Sequence, residues 1–304
     1  RRIYKFPVVQ EKMKQYPDFQ SSSYDLEACS WSNVPDEDFV LQDDKPWVIG
    51  EFVWTGFDYL GEPTPYDESW PSRSSYFGIN DLAGLPKDRY YLYRSRWNTK
   101  ESTLHILPHW NWEGREGETT PVFVYTSYNS AELFINGKSL GVQTKNKSTP
   151  QNRYRLMWMN VKYEPGTVKV VAFDDNGKAV AEEEVRTAGK PYQIVLDADR
   201  KIISADGEDI SFVTVSVVDK NGIPCPTATN QLKFKVSGAG TYRAACNGDA
   251  TSLEMFHKDT MKLFSAAFAD QETIPVKYTA QGEELSPPLR WQEIPEGTRS
   301  LALV

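Results

Sequence analysis

Hydrophobic and polar positions fall into three kinds of pattern along the chain. The first is a short, almost continuously apolar run, Trp47-Val48-Ile49-Gly50-Glu51-Phe52-Val53-Trp54. Such a run is expected of a parallel strand buried on both faces, where neither face needs to alternate with polar residues. It implies a barrel or a doubly wound sheet. Gly61, Pro63 and Pro65 then end the strand, placing Trp54, Asp58 and Glu62 at its carboxyl end, where α/β folds keep their sites. Helical signals flank this strand. Val34-Pro35-Asp36-Glu37-Asp38-Phe39 offers an acidic, N-cap-like start to a short helix that stops before Trp47. Pro86-Lys87-Asp88-Arg89 suits the first turn of a second helix, with Tyr90, Leu92, Tyr93 and Trp97 on its apolar face and an end near Asn98. Residues 1–35 and 66–76 read as rim loops.

From Ser102 onward the pattern changes to short alternating runs divided by turns. His105 to Leu107, Val122 to Tyr125, Glu132 to Ile135, Tyr154 to Trp158 and Val168 to Ala172 are predicted strands. Asn136-Gly137 and Asp175-Asn176-Gly177 are hairpin turns, so residues 103–188 read as an immunoglobulin-like β-sandwich. After a linker at Gly189-Lys190-Pro191, a second set of strands is predicted at Gln193 to Leu196, Ile210 to Val218, Leu232 to Val236 and Thr241 to Ala245. Turns at Asp206-Gly207, Asn221-Gly222 and Gly238-Ala239-Gly240 separate them, which predicts another sandwich over 189–264. Lys262-Leu263-Phe264 suits a closing strand. Pro287-Pro288 excludes a central strand there, and 282–304 are expected to be peripheral or mobile and to carry no ligand site.

Composition narrows the function. The 304 residues are 39% hydrophobic and 25% charged, enough for two or three domains and typical of a globular protein. A net charge of −8 without a basic cluster argues against nucleic acid as a partner. No apolar run approaches the ~20 residues of a membrane span. Cys29, Cys225 and Cys246 lie far apart without metal or redox spacing, and His105, His109 and His257 have no ligand spacing either, so no metal and no cofactor is predicted. The chain opens on Arg1-Arg2 instead of Met, from which a start inside a longer protein is expected. Nine Trp and an aromatic content of 13% stand out, since aromatic faces pack on the C–H faces of sugars as well as filling cores.

The segment 50–66, GEFVWTGFDYLGEPTPY, followed by Ser75-Tyr76-Phe77-Gly78 and Gly84-Leu85-Pro86-Lys87-Asp88-Arg89-Tyr90-Tyr91, closely resembles the last barrel strand and following helix of family 2 glycoside hydrolases, the β-galactosidase family. Leu107-Pro108-His109-Trp110-Asn111-Trp112, residues 131–141 and Asn247-Gly248-Asp249-Ala250-Thr251-Ser252 resemble the domains that follow the barrel. The resemblance covers residues 1 to about 260. It implies the C-terminal part of a retaining β-glycosidase of secreted or periplasmic setting: the end of a (β/α)8 barrel over 1–102, two immunoglobulin-like sandwiches over 103–188 and 189–264, and a short foreign tail over 265–304. The tail, from Met261-Lys262-Leu263-Phe264-Ser265 on, resembles the beginning of the phosphatidylethanolamine-binding protein family.

Retaining glycosidases use two carboxyl groups ~5 Å apart, one protonating the leaving group and one attacking the anomeric carbon. The resemblance implies that both lie upstream of Arg1, so neither Glu51 nor Glu62 is assigned a catalytic role, and this chain alone is expected to be inactive. It implies that Trp54 packs against the sugar of the innermost subsite of a β-galactoside, against a core role for the same ring. Asp58 either accepts hydrogen bonds from sugar hydroxyls or orders its own loop. Glu62 and Tyr66 read as rim residues, and Phe77 and Asn80 have the spacing of a monovalent-cation site in some relatives. A separate reading is a non-catalytic, carbohydrate-binding or spacer pair of sandwiches, which the absence of a barrel around Trp47 would favour. A strand stripped of most of its barrel should expose apolar surface and favour self-association.

Overall fold

A computed structural model describes residues 23–26, 28, 32–64, 66–254, 262–265, 275–278, 282–283 and 288–292. The chain divides into two compact units, Arg1–Gln231 with Gly248–Ser252, and Leu232–Asn247 with Leu253–Val304.

In the first unit two helices precede the sheets. Helix α1 (Pro35–Asp44) opens on Pro35 with Asp36, Glu37 and Asp38 in its first turn, where carboxylates complement the positive end of the helix dipole. Helix α2 (Asp88–Trp97) places Asp88 in its first turn and Arg94 and Arg96 in its last, as the same dipole favours. Seven strands and a short helix follow: β1 (Leu104–Leu107), β2 (Val122–Thr126), β3 (Ser130–Ile135), β4 (Lys138–Thr144), α3 (Pro150–Tyr154), β5 (Arg155–Trp158), β6 (Thr167–Phe173) and β7 (Ala179–Arg186). They form two antiparallel sheets, β1-β2-β5 and β4-β3-β6-β7. The β3–β4 turn is Asn136-Gly137, both at positive φ (50° and 79°), the conformation a two-residue hairpin requires and glycine supplies without strain. At the β6–β7 turn Asp174 Oδ1 accepts from the amides of Asn176 and Lys178.

Alternate residues of the two sheets meet in one core. Ile106, Val122, Val124, Leu156 and Trp158 from the first pack with Ala131, Leu133, Ile135, Val168, Val170 and Ala172 from the second. The other face of the three-stranded sheet is also covered. Leu107, Phe123 and Tyr125 pack with Phe39 of α1, Leu92 and Tyr93 of α2, and Tyr24. Strand β2 is therefore buried at every position, which accounts for its unbroken apolar run, and each large side chain so buried contributes about 1.5–3 kcal/mol. A buried ion pair locks the layers: Arg155 of β5 donates to both carboxylate oxygens of Asp36 in α1, and its Nη1 reaches the Tyr24 carbonyl at 3.0 Å.

The run beginning at Trp47 is not a strand. Residues 48–53 carry no ladder, and Ile49 and Phe52 are fully exposed, with Trp47 73% and Trp54 74% exposed. A parallel strand exists only between neighbours that satisfy its amides, and no strand among the described residues lies beside this one. No parallel ladder is present among the described residues, so the expected barrel is not seen there.

Beyond residue 190 the first unit holds one more pair, β8 (Gln193–Ala198) and β9 (Val213–Val218), antiparallel with Gln193 opposite Val218. The strands expected at 232–236 and 241–245 do not form. Phe234 and Val236 are about half exposed, and without a covering face the alternating pattern has nothing to bury against. In the second unit β10 (Lys262–Ser265) pairs antiparallel with β11 (Leu289–Gln292). Pro288 stands just ahead of β11, where its missing N–H interrupts no ladder. The tail's last residues, Leu301 to Val304, lie outside the described residues. Among the described residues no helix is long and apolar enough to cross a membrane.

Candidate functional site

The segment after Val53 is built by two loops zipped together. Ile79 and Asn80 amides donate to the carbonyls of Thr55 and Gly56 (both 2.9 Å), Asp58 N donates to the Asn80 carbonyl (3.0 Å), and Ser75 N donates to the Tyr59 carbonyl (2.8 Å). Asn80 Nδ2 adds a bond to Gly56 O at 3.0 Å. Gly78 makes this closeness possible. A Cβ there would lie 2.4 Å from Asp58 N and 2.5 Å from the Phe57 carbonyl carbon, inside any allowed contact.

Asp58 is the buried centre of the zip. Its Oδ1 accepts the Gly78 amide at 2.8 Å, and its Oδ2 lies 2.6 Å from Lys87 Nζ, which also donates to the Tyr76 carbonyl at 2.8 Å. Burial raises the pKa of the Asp58 carboxyl and lowers that of the Lys87 ammonium, while the attraction between them opposes both shifts. Both carboxylate oxygens are thus engaged within the chain.

Trp54 stands differently. Its Nε1 donates to the Tyr59 hydroxyl at 3.1 Å, and Tyr59 meets it edge-on at 6.0 Å. Tyr59 in turn donates to Glu62 Oε2 and packs edge-on against Phe77. The indole is held by its polar edge while most of its surface faces solvent. Tyr66 is buried with its ring 5.7 Å from that of Tyr76. The carbonyl of Phe77 accepts a hydrogen bond from Arg89 Nη1 at 3.1 Å, so a cation held by that carbonyl would face a guanidinium. Arg89 is itself paired with Asp25.

Trp54 and Asp58 therefore belong to the same zipped pair of loops, and Tyr59, Gly78 and Lys87 complete it. Sequence reasoning singled out none of these three. Gly78 and Lys87 lie 20 and more residues from Asp58, and only their pairing in space reveals the role. Cys225 and Cys246 are free thiols; Cys29 and His257 lie outside the described residues. His105 bonds Asp88 through Nε2 at 2.8 Å.

Three family models match the chain: a domain of unknown function (DUF4982) over residues 117–181, the glycoside hydrolase family 2 C-terminal domain 5 over 194–269, and the phosphatidylethanolamine-binding protein family over 264–304. The chain is 47% identical over 266 residues to the β-galactosidase BoGH2A of Bacteroides ovatus, a match covering 86% of this chain and 30% of that protein. It is 27% identical over 254 residues to a β-glucuronidase of Formosa agariphila, covering 81% of this chain and 24% of that one. Among solved structures, a β-glycosidase from Bacteroides vulgatus superposes with a TM-score of 0.69 at 36% identity, over 79% of this chain and 29% of that chain. The chain thus spans under a third of the length of these relatives. The last matched stretch, 264–304, is a partial match to a different family and overlaps the preceding model by a few residues. Up to that stretch, the chain belongs to glycoside hydrolase family 2.

Proposed function

We propose that this chain is the C-terminal part of a retaining β-galactosidase, supplying the last strand and helix of the catalytic barrel and the β-domains behind it. The observation that carries the reading is the 47% identity to a β-galactosidase over 86% of the chain, against 36% over 64% of the chain to a putative β-glucuronidase. In this reading residues 48–53 become the eighth strand when the other barrel strands lie beside them. Trp54 then presents its indole to the sugar at the strand's carboxyl end. Its solvent-facing surface and its edge-on tether to Tyr59 suit a platform that must be rigid and uncovered. Asp58 acts one step back, ordering the loop through Gly78 and Lys87, and the sugar hydroxyls are left to other groups. The nucleophile and the acid/base belong to earlier strands of the same barrel, so this chain by itself does not lower the barrier to glycoside hydrolysis.

The test uses nitrophenyl glycosides. The enzyme that contains this chain together with a complete barrel should cleave the β-galactoside in preference to the β-glucuronide, and the 304-residue chain alone should cleave neither. A preference for the glucuronide would overturn the sugar assignment. Turnover by the purified chain that disappears on mutating one carboxylate within residues 1–100 would overturn the placement of the catalytic pair.

A further inference from the structure

A cavity of about 400 Å³ lies away from the Trp54 loops, between α1, α2 and the segment that links β4 to β5. Four cationic side chains line it, Arg96, Lys145, Lys147 and Arg153, and one carboxylate, Asp43. In a chain of net charge −8 this concentration of positive charge runs against the composition.

The four cations are not equally matched. Asp43 lies 2.6 Å from Arg96 and also accepts from the Tyr154 hydroxyl at 2.8 Å. Arg153 forks onto both oxygens of Asp44 at 2.8 Å. The remaining pair has no bonded carboxylate: among the described residues none hydrogen-bonds or ion-pairs with Lys145 or Lys147, and Lys147 is drawn only at longer range to Asp44. Lys145 Nζ donates only to the Thr126 carbonyl, at 2.5 Å, and burial without a counter-charge lowers its pKa to about 8. Arg96 Nε, shielded from solvent, finds no acceptor among the described residues.

The cations are also held in place. The Arg96 guanidinium lies over the rings of Phe39 (4.8 Å) and Tyr154 (5.3 Å), and that of Arg153 lies 5.6 Å from the Tyr154 ring. The backbone on either side of Lys147 is held, by Lys145 N to the Asn129 carbonyl (2.8 Å) and Asn146 N to the Asn152 carbonyl (2.9 Å) before it and by Ser148 N to Asn146 Oδ1 (3.0 Å) after it. Preorganised donors around a concave space lose little freedom on binding, and the volume falls within the range of small-molecule sites.

We propose that this cavity binds a phosphate or sulfate group carried by a small molecule, with Lys145 and Lys147 supplying positive charge that no bonded carboxylate neutralises and Arg96 and Arg153 its rigid walls. A divalent oxyanion satisfies what the structure leaves open: a bonded counter-charge for the two lysines and an acceptor for Arg96 Nε. The cavity exceeds a bare ion, so an ester on a sugar or similar body fits the remaining space.

Calorimetric titration of the 304-residue chain tests this, at constant ionic strength with chloride as the reference anion. The probes are inorganic phosphate, inorganic sulfate, a hexose 6-phosphate and a hexose 6-sulfate. Saturable 1:1 binding is expected for all four, tighter for the esters than for the free ions. Lys145→Met should weaken it at least ~tenfold and Lys147→Gln several-fold. Asp44→Asn, which removes a negative charge from Arg153 and Lys147 while Arg153 keeps Asp43 at 3.2 Å, should tighten it. Because Lys147 and Asp44 are exposed, those two variants keep the test alive if Lys145→Met does not fold. Heats that match chloride, or an affinity indifferent to Lys147→Gln and Asp44→Asn, would overturn the proposal. Esters binding no tighter than free ions would overturn its organic part.

Discussion

Trp54 and Asp58 stand four residues apart and meet opposite fates. Trp54 is 74% exposed and tethered by one hydrogen bond, so Trp54→Ala in the complete enzyme should leave the melting temperature unchanged. It should lower kcat/KM roughly tenfold, equivalent to about 1.4 kcal/mol of transition-state contact. Unchanged kinetics with a lowered melting temperature would mark the ring as core. Asp58 is buried between an amide and an ammonium, so Asp58→Ala strands both donors and should cost about 1–3 kcal/mol of stability, read from chemical denaturation. The choice between these roles was open in the sequence, because both residues sit at the end of one apolar run. What supports the proposed loop-ordering part for Asp58 is the position of Gly78 and Lys87 across the zip. Lys145 carries a prediction in pH. Its folded pKa of about 8 lies below the ordinary lysine value, so between the two the unfolded chain binds more protons and stability rises with pH. The groups around it are Arg96, Lys147 and Arg153, of like charge, and Asp43. The difference in melting temperature between wild type and Lys145→Met should therefore shift in favour of wild type from pH 8 to 10, and a flat difference would refute the assignment.

Five of the seven strands of the first β-domain were legible from their alternation, and the hairpin turns deliver the other two to their neighbours. Asn136-Gly137 brings β4 onto β3, and Asp174 with its turn brings β7 onto β6. Neither β4 nor β7 shows a strong pattern alone; β4 is exposed at all seven positions. The same logic explains the misreading at Trp47. An unbroken apolar run states that two faces want cover, not where the cover comes from. In β2 the second sheet covers one face and the helices the other, whereas of residues 48–53 only Val53 packs against the helix-covered cluster. The ion pair between Asp36 and Arg155 was illegible for another reason, since 119 residues separate its members. It predicts a large effect. Arg155→Met leaves the Asp36 carboxylate buried without its partner and should destabilise the unit by about 3–5 kcal/mol. Pairing it with Asp36→Leu should recover much of the loss, because two apolar groups then replace two charges. Equal stability of the single and double variants would show that the ion pair does not couple α1 to the sheet.

At the scale of the molecule, what remains is surface that the described fold does not cover. Trp47, Ile49, Phe52 and Trp54 fall within eight residues and are all largely or fully exposed, and Ile194, Leu196 and Phe212 at the β8–β9 pair are more than half exposed. Folded monomers seldom leave so many large apolar groups in water within one short segment, and the cost of doing so, about 25 cal/mol per Å², is recovered by association. The opposing force is electrostatic. With a net charge of −8, copies of the chain repel one another over roughly 10 Å at 0.1 M salt, and raising the salt shortens that range. Self-association in sedimentation velocity should therefore strengthen with salt, the reverse of an assembly held by ion pairs. Ile49→Lys with Phe52→Lys removes apolar surface and adds a cost for burying charge, and should return the chain to monomer without changing its circular dichroism. Should the wild-type chain sediment as one monomer at every salt concentration and bind no apolar dye, residues 47–54 would have to be covered from within the chain, and their proposed place as an unpaired barrel strand would fall.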